Sequence, residues 1–243
     1  MNEPRSSLLI QAYAFGVEGA APLVFEALDL RDQPDHPANR FTLGVEPGTV
    51  VAAIGDEDSG VGDLGRYAMG LARPLKGRAL VFGAAIGDLP YYDLLAFRRR
   101  LGYLQLGDGL LQNLSLKDNI ALPLRYASDH RLSEVEGRVA QLVEAVHLGA
   151  VAHLRPAQSN EEDRRRAALA RALALDPELL VLEAPFDGLT GRAAIDILEH
   201  AARRLDGAPR TVFLTAQDLH TSVRRLITRV VRVQDGLAQD EPS

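Results

Sequence analysis

The stretch GDEDSGVGDLGR, residues 55–66, follows the apolar run TVVAAI and precedes a helical pattern. A loop placed there can cradle phosphate in its backbone N–H groups. Gly55 and Gly60 have the spacing of GxxxxGK(S/T), but Val61 and Gly62 stand where a lysine would reach the phosphates and a hydroxyl would hold Mg²⁺. Ser59 keeps the loop's shape, while Asp56, Glu57 and Asp58 add carboxylates to it and Asp63 adds another at the helix start. Two unit charges about 4 Å apart cost about 4 kcal/mol at an effective dielectric near 20, against about 1 kcal/mol of help from a helix dipole, so phosphate is expected to be repelled. Arg66 lies about a turn further into the helix and is not expected to replace the lysine. Without a ligand, the same residues make an ordinary strand-turn-helix connection whose acids suit a helix N-terminus.

Composition narrows the chemistry further. The chain has 243 residues, a net charge of −6 and no cysteine, which removes disulfides, thiolate metal sites and cysteine nucleophiles. Its acidic balance gives no field for nucleic acid, and no nucleic-acid partner is expected. Only two lysines occur against twenty-five arginines, and neither Lys76 nor Lys117 belongs to the loop. No run approaches the roughly 20 apolar residues of a membrane span. The start MNEPRSSLLIQAYAF lacks the pattern of a secretory leader, so a cytoplasmic chain is expected.

The elements that must position the loop follow from the patterning. Short apolar runs read as strands: PLVFEALDL, RFTLGV, TVVAAIG, RALVFG, LGYLQL, ELLVLEAP, TVFLTAQD and RVVRVQDG. The early ones have no helices between them, which predicts an antiparallel sheet before an α/β part. Between Ser115 and Leu148 the pattern turns helical, with Leu132, Val135, Val139, Leu142, Val143 and Val146 on one face. DRRRAALARALALDP and GRAAIDILEHAARRL read as further helices, each followed by a strand as βαβ units require. The ends, through Pro22 and from Leu237, read as loosely ordered, and the arginine clusters Arg98–Arg100 and Arg164–Arg166 as solvated faces.

Taken in order, the loop, the strand ELLVLEAP and the helix RRRAALARALALDP resemble the ATP-binding subunit of an ABC transporter over about Leu23–Gly236. NLSLKDNIALPLRY and ALARALALDPELLVLEAPFDGL are most similar to the subunits of Mla/Mce-type lipid transport systems. The resemblance implies an α/β fold: a P-loop NTPase core of ABC type with an N-terminal antiparallel β subdomain and an inserted helical subdomain. It implies one nucleotide-binding domain over 1–243, with sheet core at about 23–105 and 167–236, helical subdomain at about 106–166, and flanking ends 1–22 and 237–243. It also implies a homodimer or heterodimer of such subunits on a transmembrane permease, peripheral on the inner membrane face. The permease is expected to dock at the helical subdomain and the 106 to 125 loop.

Residue by residue, the chain departs from that family. Glu183 stands at its metal-binding position and Ala184 at its general-base position, where alanine accepts no proton and help of about 10²–10⁴-fold is lost. Asp187 lies beyond a Pro-Phe turn. The signature Leu-Ser-Gly-Gly-Gln, which faces the γ phosphate of the opposite subunit, falls on Ser159, Asn160, Glu161, Glu162 and Asp163. Gln217 occupies the switch-histidine position, with His220 three residues on. The family's loop glutamine aligns with Leu106, or with Gln105 if the register slips, and Thr190 replaces an Asp. The adenine-stacking aromatic is missing around Asp32 to Pro34 unless Tyr13 or Phe15 supplies it. The combination leads to the expectation of a pseudo-ATPase with no cofactor and no metal, structural or regulatory in a transporter. The alternative is a divergent ATPase that still holds ATP and Mg²⁺.

Overall fold

A computed structural model describes residues 19–30, 40–127 and 131–241. Two sheets face each other. The smaller is antiparallel, ordered β2-β1-β4-β5, from β1 (Leu23–Leu28), β2 (Phe41–Val45), β4 (Arg78–Val81) and β5 (Ala84–Ala85). The larger is ordered β10-β9-β3-β8-β7-β6. It contains β3 (Val50–Ile54), β6 (Leu101–Leu104), β7 (Leu179–Glu183), β8 (Thr211–Ala216) and β9 (Arg229–Gln234), all parallel, with β10 (Leu237–Asp240) antiparallel at one edge.

A parallel sheet covered on both faces reads as continuous apolar runs, and β3, VVAAI, is buried at every position. Its side chains alternate between two cores. Val51 and Ala53 join the core between the sheets, where Phe25 meets Phe41 and Phe213 at centroid separations of 5.7 and 5.3 Å. Ala52 and Ile54 join the core under the helices. Complete burial of a side chain such as Phe213 contributes about 1.5–3 kcal/mol.

The helices are α1 (Val61–Ala68), α2 (Tyr91–Arg98), α3 (Leu116–Ala127), α4 (Leu132–Ala145), α5 (Glu161–Ala172) and α6 (Gly191–Ala201). α3 and α4 form the helical part between β6 and α5. On α4, Val135, Val139 and Leu142 are buried as the spacing predicts, but Leu132 is 67% exposed because it opens the first turn, beyond the packed face. α5 starts at Glu161, so the expected boundary at 166 falls inside one helix.

Two further expectations are corrected. Residues 237–241 are ordered: β10 pairs with β9, Asp240 accepts from Arg229 Nε at 2.6 Å, and Glu241 accepts from Arg232 Nε at 2.7 Å. The arginine clusters are solvated faces only at Arg99, which is exposed. Arg98 donates to the Met69 and Gly70 carbonyls at 3.3 Å, and Arg100 binds both oxygens of Glu178 while stacking 4.0 Å above Phe82. Arg164 pairs with Asp108 at 3.2 Å, and Arg165 and Arg166 are buried. Arg98, Arg100 and Arg164 tie helices to loops and strands. The positions of Tyr13, Phe15 and Asp32 to Pro34 lie outside the described residues. Among the described residues, no helix is long and apolar enough to cross a membrane.

Candidate functional site

The loop between β3 and α1 leaves the carboxyl edge of the large sheet, where α/β proteins place ligands. Its residues Glu57–Ser59 form a 3₁₀ turn, and Gly60 turns the chain into α1 at φ +76°, a conformation glycine adopts without strain. Ser59 is 1% exposed and closes the loop from within. Its hydroxyl donates to the Asp56 carbonyl at 2.6 Å and accepts from the Val61 N–H at 3.3 Å. The Ser59 N–H goes to the Asp56 carbonyl and the Gly55 N–H to the Ala216 carbonyl, both at 3.1 Å. Val61, at the lysine position, is 5% exposed and packs in the core between the sheets. Gly62 offers no hydroxyl, and Arg66 is engaged with Asp63 at 3.2 Å.

Asp56, Glu57 and Asp58 are exposed around a cavity of about 610 Å³ that Gln217 and Arg232 also line. Gln217, at the switch position, reaches across the cavity and donates to Glu57 Oε1 at 3.3 Å. Arg232 is held by Glu241.

At the end of β7, Glu183 is 6% exposed and both its oxygens have partners. Oε1 accepts from the Tyr103 hydroxyl at 2.7 Å and Oε2 from the Leu106 N–H at 3.0 Å. The carboxylate lies against Gly65 of α1, where any Cβ would collide with it. Burial, then the hydrogen bond and charge of Glu183, push the Tyr103 phenol well above its ordinary pKa. Leu106 thus contributes its backbone, and Gln105 folds its exposed amide against Gly109. Ala184 follows at φ +42° with its N–H on the Thr215 carbonyl at 2.8 Å. Asp187 is exposed, and Thr190 caps α6 by accepting from the Ala193 N–H at 3.3 Å. His220 is exposed and 2.7 Å from the Ser222 hydroxyl.

The Ser159–Asp163 segment starts α5. Asn160 is the N-cap, accepting from the Asp163 N–H at 2.8 Å. The Ser159 hydroxyl donates to the Arg155 carbonyl at 3.0 Å, Glu162 accepts from Arg166 at 2.8 Å, and Glu161 lies against Gly188. Three acids in the first turn suit the helix dipole. Loop, β7 end and switch residue therefore converge on one edge of the sheet. Tyr103 is the member that sequence reasoning missed, since nothing but its place on β6, the strand beside β7, relates it to Glu183.

The ABC transporter family matches residues 38–187. The chain is 32% identical over 210 residues to a methionine import ATP-binding protein MetN of Caulobacter vibrioides, covering 86% of this chain and 63% of that one. It is 28% identical to a putative 2-aminoethylphosphonate import ATP-binding protein PhnT of Salmonella paratyphi A, covering 93% of this chain and 59% of that one. The chain thus spans about three fifths of these relatives. A dimeric structure of the ATP-binding cassette MJ0796 bound to ADP and Pi superposes with a TM-score of 0.78 at 21% identity, covering 90% of this chain and 97% of that one. Neither relative bears a lipid-transport name.

Proposed function

The chain belongs to the ABC transporter family, and on that premise we propose that it is a cassette subunit whose own nucleotide site does not hydrolyse ATP. The observation that carries this reading is Ser59, whose buried hydroxyl takes the Val61 N–H and the Asp56 carbonyl inside the loop. Opening that loop for phosphate would give up both bonds, with no lysine side chain at Val61 to compensate. Ala184 supplies no base, and Glu183 is already spent on Tyr103 and Leu106. The residues present do not fit Mg²⁺-ATP as a hydrolysed substrate, and no reaction step is assigned to them.

In this reading the subunit works as one of a pair at the cytoplasmic face of a membrane, docked on a permease through α3, α4 and residues 106–115, the loop part of the expected 106 to 125 stretch, whose remainder is α3. The names of the relatives support a transport role, two of them in import, and they leave the Mla/Mce lipid assignment without support. Purification from detergent-solubilised membranes tests the docking. A permease-like protein is expected to copurify, and recovery as a lone soluble monomer contradicts it.

A second reading rests on the same relatives, each named an ATP-binding protein: a divergent cassette that still holds nucleotide. Phosphate release by the paired subunits separates the two, staying at background in the first and rising with ATP in the second.

A further inference from the structure

The opposite, amino edge of the large sheet carries a second cavity, about 820 Å³ in volume, beside the starts of β3, β8 and β9. Two guanidinium groups, from Arg204 and Arg210, pair with one half-buried carboxylate, Asp176, whose charge Arg138 also senses, and Arg203 stands exposed at the rim. Glu199 adds one exposed carboxylate there. Positive charge is in excess inside a chain that is acidic overall.

The four arginines are not equally occupied. Arg210 is 2% exposed and fully used: Nη2 reaches Asp176 at 2.5 Å, Nε the Pro177 carbonyl at 2.9 Å and Nη1 the Ala201 carbonyl at 3.0 Å. Arg138 has only long contacts, 3.4 and 3.5 Å, to the Leu173 and Ala174 carbonyls at the end of α5. Arg204 touches Asp176 at 3.5 Å, and its Nε is buried without a hydrogen-bond partner among the described residues. A structural role as helix C-terminal caps accounts for Arg210 and in part for Arg138. It leaves donors of Arg203 and Arg204 over, beside an apolar wall of Leu142, Val146 and Leu226.

We infer that this cavity binds a phosphorylated small molecule, its phosphoryl oxygens against Arg138, Arg203 and Arg204 and its apolar part on Leu142, Val146 and Leu226. Guanidinium forks match phosphate oxygens in pairs. A volume within roughly 300–1,000 Å³ suits a small molecule rather than a polymer. The inference is independent of whether the loop at the other edge holds nucleotide.

Isothermal titration of the full chain with inorganic pyrophosphate, without Mg²⁺, tests it. Saturable binding with a Kd below about 1 mM is expected. Arg204→Gln should weaken it by about tenfold or more, and Arg203→Ala, at an exposed position where folding is not at risk, should weaken it in the same direction. Absence of saturation, or binding indifferent to both substitutions, overturns the inference. So does tighter binding of a hexaglutamate peptide than of pyrophosphate, which would mark the cavity as a seat for a protein segment.

Discussion

The two edges of the large sheet handle polar groups in opposite ways. At the carboxyl edge three groups have turned inward or to a neighbour: Ser59 to its own loop, Glu183 to Tyr103 and Leu106, Gln217 to Glu57. At the amino edge, arginines gather around Asp176 with donors left over. A shared fold thus does not dictate where a protein keeps its binding capacity. Here the groups at the usual ligand edge bond one another around a cavity, while the structural edge has the unspent charge.

Breaking the amino edge should cost most. Arg210→Ala removes three hydrogen bonds and leaves Asp176 and two carbonyls short of a donor, so a loss of about 3–5 kcal/mol is expected in urea unfolding. A loss under about 1 kcal/mol would mean that Arg210 is no anchor. At the carboxyl edge, Tyr103→Phe leaves one oxygen of buried Glu183 unpaired, and about 1–3 kcal/mol should be lost. The same pair gives a pH signature. The native phenol keeps its proton where the unfolded chain has lost it, so its contribution is complete below about pH 10 and falls as pH rises further. Tyr103→Phe should therefore flatten the alkaline decline in stability, and an unchanged decline would assign it to other groups.

Smaller effects sharpen the contrast. Asn160→Ala removes the cap of α5 and should cost about 1 kcal/mol in thermal unfolding, because the Asp163 N–H loses its acceptor. A neutral result would mean that the acids of the first turn hold the helix start without it. Near the amino edge, the Arg100 hydrogen bond holds the Glu178 carboxyl below its usual range. Its contribution is present above the unfolded pKa, about 4.3, and fades as pH falls below it. Glu178→Gln should make stability less steep in acid, and an equally steep curve would exclude this pair as the cause.

Much of this was legible in the sequence because it is local. The buried run VVAAI, the alternation of runs and helices, and the order of loop, β7 and α5 all follow from patterns within a dozen residues. β10 was missed because LAQD has little apolar character and gains its order from β9 and from ion pairs with Arg229, Arg224 and Arg232. α2 was missed because its face is mostly exposed, with Phe97 its sole buried residue. At the site, the absent lysine and base could be read directly at Val61 and Ala184. The closure could not, since it depends on contacts between distant segments: Tyr103 with Glu183, and Gln217 with Glu57. Nor could the outward facing of the loop acids be read, because charge can be counted from residues but solvent screening depends on which way they face.

Calorimetric titration of the protein with Mg²⁺-ATP, alone and with its cassette partner, decides whether the carboxyl edge is closed. No saturable heat up to about 1 mM nucleotide is predicted, because no cation from position 61 reaches the loop and Ser59 takes the Val61 N–H. Micromolar binding, with the β and γ phosphates located against residues 55–63, would contradict it and return the site to the working ATPases of the family.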